Sequence, residues 1–599
     1  LGSSNGTFIN GRRLTRPAVL KRGDRIEIGP FSLEFDGTGL VSRSRSNNIE
    51  LVARGLKRVV HDRSTGQSVR LLDHISLVVR PKEFVCILGP SGSGKSTLLA
   101  ILSGRNPPCA GAVTLNGEDL YDHFELLKED IAVVPQKDVL HESLTLASAL
   151  RYTAELRLPP DMSAGEIEVS VAGILEVVGL TSRRDMLIRH LSGGQIKRAS
   201  LANELVARPS LLFLDEVTSG LDEQTDRDVM ELFQRVADGG KTVVCITHNL
   251  ANVEATCHLV VILTERGRLA FVGSPDEAKA YFQVPRLGDV YRRMSGAKPE
   301  EWHAWFRSST YFFRYVVDRM PGDLDTGHEL PATFRPLRNN ARLVNQVRVL
   351  TRRYVSIWNG DRNALFALLG QSLMVALLLG LAFGSLSELS NPRERAQKTE
   401  NLLLLLAVSC FWFGCNSAAV ELVKERVIFL RERHFNLRVD SYFGSKFLVL
   451  TVIGLMQTTL LFCVVWAWCQ PRGSPALAWL TLVALATAGT AVGLWISALA
   501  HSEAVATALV PIVIIPQIIL ADVITRLDGL AELMAAGLIT VYWGQQALER
   551  LLPANDLATL GREQGHWFYP LGVVLAHAVI GAAATIGVLW RSQRRTGSR

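Results

Sequence analysis

Gly89, Pro90, Ser91, Gly92, Ser93, Gly94, Lys95, Ser96 and Thr97 follow an apolar strand pattern at 84–88 and open an apolar helical pattern at 97–102. Glycines at this spacing let successive backbone N–H groups turn inward around phosphate oxygens, and a helix start adds a field that favours anions. Lys95 is then expected to reach the β and γ phosphates of a nucleotide, and the Ser96 hydroxyl to ligate Mg²⁺. Residues 211–214 read as an apolar strand that delivers Asp215 and Glu216 at its end. There Asp215 suits Mg²⁺ and Glu216 suits orientation of an attacking water. Leu191, Ser192, Gly193, Gly194 and Gln195 precede a helical run at 196–206 and form a second anion-binding helix start. One nucleotide has no use for two such loops unless it is clamped between them.

The elements that must hold these residues are short β-branched runs at 84–88, 131–134, 211–214 and 242–246, alternating with helical patterns across 47–285. That is the punctuation of an α/β domain. With Gln136 after the second strand, Ser219-Gly220-Leu221-Asp222 and Thr247-His248, the set stands in an order and spacing that resembles the ATP-binding cassette proteins. The resemblance implies ATP and Mg²⁺ as cofactors and two cassettes meeting head to tail, each ATP lying between the phosphate loop of one and the 191–195 turn of the other. It makes Glu216, His248 and Gln136 the catalytic set and Ser96, Gln136 and Asp215 the metal set. Gln136 would sense Mg²⁺ or water and face the membrane domain, His248 would contact the γ-phosphate, and Asp222 would cross the dimer interface. Two positions depart from the family. Val217 stands where proline commonly follows the glutamate, and no Tyr, Phe or Trp occurs over 51–77, where an aromatic ring usually stacks on adenine. His61 or the aliphatic surface around Val59 is left to serve the base.

The 599 residues are 48% hydrophobic and only 20% charged, with a mean hydropathy of +0.19, which excludes a disordered or fully soluble chain. Six apolar segments near spanning length, at 365–383, 402–420, 447–469, 476–500, 504–520 and 571–590, contain no Asp, Glu, Lys or Arg. Basic residues flank them on one side: Arg352, Arg353 and Arg362; Lys424, Arg426, Arg431, Arg433 and Arg438; Arg591, Arg594 and Arg595. Such residues are retained in the cytoplasm, so the cassette and both termini are expected there, with 521–570 as the main external segment of a multi-pass cell-membrane protein. The net charge of +7 is thereby explained without nucleic acid. Eight cysteines lack zinc-site spacing and read as reduced core or membrane residues. Residues 286–340 read as a linker, and 341–360 as an amphipathic connecting helix at a membrane surface, followed by the membrane domain at 361–599.

The expected fold is thus multidomain: an α/β P-loop cassette, an all-α six-helix transmembrane domain, and a partial all-β N-terminus. A cassette preceding six spans resembles the G, or White-type, half-transporters with an ABC-2 type membrane domain; 145–159, 213–222 and 420–432 carry matching pieces. The resemblance implies export of a hydrophobic or amphipathic substrate, lipid, glycolipid or drug-like, by a dimer with a second copy or a related half-transporter in the lipid bilayer. It makes 421–433 a cytoplasmic coupling helix near the cassette. The alternative is a membrane-bound ATP-gated regulator or scaffold, signalled through a phosphothreonine-reading N-terminal domain, that does not pump substrate. Pro511 and Pro516 fall in the fifth segment, which the resemblance places near the external end of the path; Leu509 and 512–515 then form an apolar plug between subunits, or the prolines merely shape a packed helix. Ser3 to Gly11, Gly23-Asp24 and the alternating run Arg25 to Gly29 resemble the C-terminal part of a forkhead-associated (FHA) phosphothreonine-binding domain. The upstream elements of that domain are missing, so 1–40 reads as a remnant of a truncated chain. A phosphothreonine protein is expected as a partner only of the full domain.

Overall fold

The β-branched runs become strands wherever turn residues bound them. The computed structural model describes residues 7–9, 12–14, 16–28, 31–35, 37–42, 49–61, 68–158, 162–321, 340–434, 437–523, 526–562 and 564–596. It divides between Asn339 and Asn340 into two units.

In the first unit, β1 (Thr7–Ile9), β2 (Arg12–Arg13), β3 (Arg25–Ile28), β4 (Phe31–Phe35) and β5 (Leu40–Ser42) form an antiparallel sheet in the order β2-β1-β3-β4-β5. This is the FHA-like stretch; Ser3 to Gly6, Asn10, Gly11 and Gly29 lie outside the described residues. The cassette strands are β6 (Leu51–His61), β7 (Ser68–Val79), β8 (Phe84–Leu88), β9 (Ala110–Leu115), β10 (Glu118–Asp119), β11 (Ile131–Val134), β12 (Leu211–Asp215), β13 (Thr242–Ile246), β14 (Leu259–Leu263) and β15 (Leu269–Gly273). One antiparallel sheet runs β10-β9-β6-β7, and a six-stranded sheet runs β11-β12-β13-β8-β14-β15, parallel except for its last pair. Every residue of β8, β11, β13, β14 and β15 is buried, as unbroken apolar strands covered on both faces should be. The parallel order sets the carboxyl ends of β11, β12, β13 and β8 side by side, the usual crevice for a ligand in such sheets.

The linker expected over 286–340 is not one as far as Pro321. Trp302 and Phe306, spaced one helical turn apart on Pro299–Arg307, are buried in an aromatic cluster with Phe271 of β15 and Phe282. Tyr315 donates its hydroxyl proton to Glu277 at 2.7 Å, and Arg319 pairs with Glu83 at 2.8 Å. Charged residues around the rings masked this apolar spacing. Residues 322–339 lie outside the described set.

In the second unit all six apolar segments are helical: Arg362–Phe383, Pro392–Ala418, Val439–Cys469, Pro475–Leu499, Glu503–Ile519 and Phe568–Thr596. Five of them, by length and composition, can cross a membrane; the fifth in chain order has 17 residues, about 25 Å of helix. Its Ile512, Ile515 and Ile519 are exposed on one face, while Leu509, Val513 and Ile514 pack against the core of their own unit. The expected plug therefore splits between two faces. A Cβ on Gly414 would stand 2.0 Å from Ala486 O, and one on Gly489 2.1 Å from Phe411 O. The second and fourth apolar helices thus touch backbone to backbone, the close approach that small residues permit.

The connecting helix Asn340–Gly360 buries Gln346, Val349, Leu350, Arg353 and Tyr354. Arg353, one of the basic residues that flank the first span, is 4% exposed and forked onto Glu432, with one N–O distance of 2.9 Å. Tyr354 donates to Glu421, and Lys446 pairs with Glu425 at 2.8 Å while lying over the Tyr354 ring. Within 521–570 the helices Gly529–Leu538, Thr540–Glu549 and Ala554–Leu560 fold, and Arg562 gathers three carboxylates: Asp522, Glu400 at 2.9 Å and Glu549 at 3.3 Å. The eight cysteines are free thiols.

Candidate functional site

The phosphate loop leaves β8 through Gly89, Gly92 and Gly94, whose φ angles are +155°, +78° and +87°. A Cβ on Gly94 would lie 2.6 Å from Leu71 O, so space as well as conformation demands glycine there. Lys95 opens the helix Lys95–Leu102 and folds back along the loop, its Nζ donating to Gly89 O and Pro90 O, both at 2.9 Å. An ammonium has three N–H groups, which leaves one for a phosphate oxygen. Burial lowers the Lys95 pKa, against the opposing pull of Glu216 and Asp215.

Ser96 donates to Asp215 Oδ1 at 3.4 Å, across from the end of β12. Burial raises the Asp215 pKa, the neighbouring Glu216 charge adds to it, and Ser96, Arg105 and Lys95 offset it only in part. A carboxylate crowded by a second carboxylate and faced by a hydroxyl is a hard-oxygen site short of positive charge. That fits Mg²⁺, which takes one or two carboxylates and completes its shell with phosphate oxygens and water.

Glu216 adopts a φ of +48°, fixed by its N–H donating to Ile246 O of β13 at 3.0 Å. The resulting turn points its carboxylate between two partners. Gln136 Nε2 donates to Oε2 at 2.7 Å, and His248 Nε2 meets Oε1 at 2.6 Å. A carboxylate only accepts, so Nε2 carries the imidazole proton in this contact. Val217, in the place of the family's proline, is buried and leaves this turn intact.

Ser192 caps the helix Gly193–Leu205 in a reciprocal box: its Oγ accepts from Gln195 N at 3.4 Å, and Gln195 Oε1 accepts from Ser192 N at 3.1 Å. Asp222 caps Glu223–Asp238, accepting from Thr225 N at 3.0 Å and Thr225 Oγ1 at 2.7 Å, which holds its carboxyl below the usual range. The two helix starts pack together, since a Cβ on Gly194 would meet Thr225 Cγ2 at 2.4 Å. Lys197 of the first helix donates to Gln136 O at 2.9 Å.

The structure therefore assembles Lys95, Ser96, Asp215, Glu216, Gln136 and His248 at the strand ends. Leu191, Ser192, Gly193, Gly194, Gln195 and Asp222 form a second cluster; among the described residues, the side-chain hydrogen bonds of Ser192 and Asp222 stay within their own helix starts. Val59 is half-buried, and the His61 side chain lies outside the described residues. Sequence reasoning missed Tyr291, whose phenol oxygen accepts the Gly89 N–H at 3.1 Å. It stands in the segment read as linker, and nothing in its local spacing announces the contact.

The ABC transporter profile matches residues 72–219, the ABC-2 type transporter profile 345–549, and the FHA domain profile 1–29. A broad substrate specificity ATP-binding cassette transporter of Sus scrofa is 28% identical over 76% of this chain and 76% of its own length. ABC transporter G family member 2 of Arabidopsis thaliana is 28% identical over 71% of this chain and 61% of its own length. An ABC transporter ATP-binding/permease protein of Mycobacterium tuberculosis is 32% identical over 96% of this chain and 68% of its own length. The chain belongs to the G-type ABC half-transporters. As a half-transporter it is an ATPase coupled to transport, it passes the membrane several times, and membership of the family implies dimerisation. An ABC ATP-binding domain binds ATP with Mg²⁺ in general, in keeping with the hard-oxygen donors beside the half-transporter's phosphate loop.

Proposed function

We propose that two copies of the half-transporter pair head to tail and use ATP hydrolysis to export a hydrophobic or amphipathic substrate by alternating access. The observation that carries this reading is the division of the site. Glu216 is held at both oxygens by Gln136 and His248 beside the phosphate loop, whereas Ser192 and Gly193 are exposed and, among the described residues, the side-chain hydrogen bond of Ser192 stays within its own helix start. A second copy would lay its exposed helix start over the nucleotide on the first.

In this reading Lys95 gives its remaining N–H to a phosphate oxygen, and Ser96 and Asp215 hold Mg²⁺. The ion, when bound, neutralises charge on the β and γ oxygens. Glu216 orients water and takes up its proton, and Gln136 fixes the carboxylate by one oxygen. His248, with a side chain 52% exposed, is free to swing from Glu216 toward the γ-phosphate, which clears the other oxygen for water. The membrane domain spans six times, its 17-residue fifth helix included, with the cassette in the cytoplasm.

ATP-dependent uptake into inverted membrane vesicles, across a panel of lipids and amphiphiles, tests direction, coupling and chemical class together. Uptake of a panel member supports export. Steady ATPase activity without uptake of any member supports the regulator that does not pump.

A further inference from the structure

Tyr291 lies in the short helix Val290–Met294, 202 residues after Gly89, and its hydroxyl reaches the first residue of the phosphate loop. Gly89 is thereby held at both polar ends: its N–H by Tyr291 at 3.1 Å, its carbonyl by Lys95 Nζ at 2.9 Å. Space around it is closed, since a Cβ there would meet Ser93 Oγ at 2.6 Å and Leu263 O at 2.8 Å. The helix carrying Tyr291 is braced from behind. Met294 O accepts Trp302 Nε1 at 2.9 Å, and the Trp302 ring packs 5.1 Å from Phe282.

We infer that Tyr291 is a positioning residue for nucleotide binding, anchoring the start of the phosphate loop so that Lys95 presents its remaining N–H to a phosphate. The inference rests on reading the loop as an ATP site. Lys95 is tethered to Gly89 O and Pro90 O, so any shift of the Gly89 peptide displaces the ammonium. Without the hydroxyl, the Gly89 N–H is left unpaired in a part-buried place, a costly state that the loop relieves only by moving. Burial raises the pKa of the phenol, which keeps it neutral across the physiological range. The segment beyond β15 thus serves the chemistry as well as the packing.

The full chain in lipid nanodiscs provides the test. Tyr291→Phe is expected to raise the KM for ATP and the nucleotide Kd three- to tenfold, with kcat falling less than twofold and Tm without nucleotide unchanged. Tyr281→Phe removes the buried hydroxyl of a half-buried tyrosine, one that has no hydrogen-bond partner among the described residues, and should change neither constant. Lys95→Ala is measured alongside. Parental KM and Kd in Tyr291→Phe, with binding weakened in Lys95→Ala, overturn the positioning role and leave the ATP site standing. Equal changes in both tyrosine variants also overturn it, as a packing effect. Parental binding in Lys95→Ala removes the ATP reading and the role of Tyr291 with it.

Discussion

Glu216 Oε1 and His248 Nε2 stand 2.6 Å apart while Gln136 occupies the other carboxylate oxygen at 2.7 Å. Each oxygen is thus held by one partner and keeps a further lone pair with which to meet water. Glu216→Gln keeps the shape but neither accepts a proton from water nor accepts hydrogen bonds from both partners. It is expected to retain ATP binding and lose about 100-fold or more of steady-state hydrolysis. Near-normal turnover would take the base role from Glu216 and transfer it to His248.

Ser192→Arg should abolish hydrolysis while leaving the nucleotide affinity of each phosphate loop intact, because Ser192 would face the ATP held by the other copy. Mixed with Lys95→Ala, it forms heterodimers in which both defects fall at one site and the other site is whole. Counting ATP-competent sites in the purified heterodimer decides the geometry: none would refute head-to-tail pairing.

Around neutral pH the segment 521–570 is expected to titrate. Burial raises the Glu549 pKa to about 7, with Glu400 and Asp522 adding to the rise and Arg562 and Gln545 opposing it. The folded state then holds a proton that the unfolded chain releases near pH 4.5, so the stability this supplies is complete below that pH and is lost as pH rises through about 7. The upper figure is about 3 kcal/mol. Thermal unfolding from pH 5 to 8 should show Tm falling more for the parent than for Glu549→Gln; parallel curves would refute the titration.

Cysteines at Ile512 and Ile515, on the exposed face of the fifth helix, should crosslink between subunits, and a cysteine at Leu509 should not. If the helix forms a plug that opens after ATP closure, the yield falls when ATP is trapped in the Glu216→Gln background. Yields that ignore ATP, or no crosslink in a confirmed dimer, would eliminate the moving plug.

The phosphate loop and its carboxylates were legible because phosphate and Mg²⁺ chemistry demands fixed residue types at fixed spacing, and the apolar strands that deliver them are unbroken. The spans were legible because hydrocarbon tolerates no charge. The pairing of Arg353 was not legible: a basic residue beside a span reads as a topology signal, and its partner Glu432 is brought near only by folding. The packing of 287–321 was hidden because Trp302 and Phe306 sit among charges, and the Tyr291 contact because it joins residues remote in sequence. The split of the fifth helix into two faces depends on what packs beside it, which its uniform apolarity does not encode.

The bare-backbone approach of Gly414 to Ala486, and of Gly489 to Phe411, has a mechanical consequence. Carbonyls and Cα atoms lack the rotamers with which side chains absorb displacement, so sliding or rolling the second apolar helix against the fourth would drive one main chain into the other. The two helices therefore behave as a single stiff beam. Whatever reshaping of the membrane unit accompanies transport must hinge at the joints where other helices meet that beam, and residues along its seam should travel together in every state of the cycle.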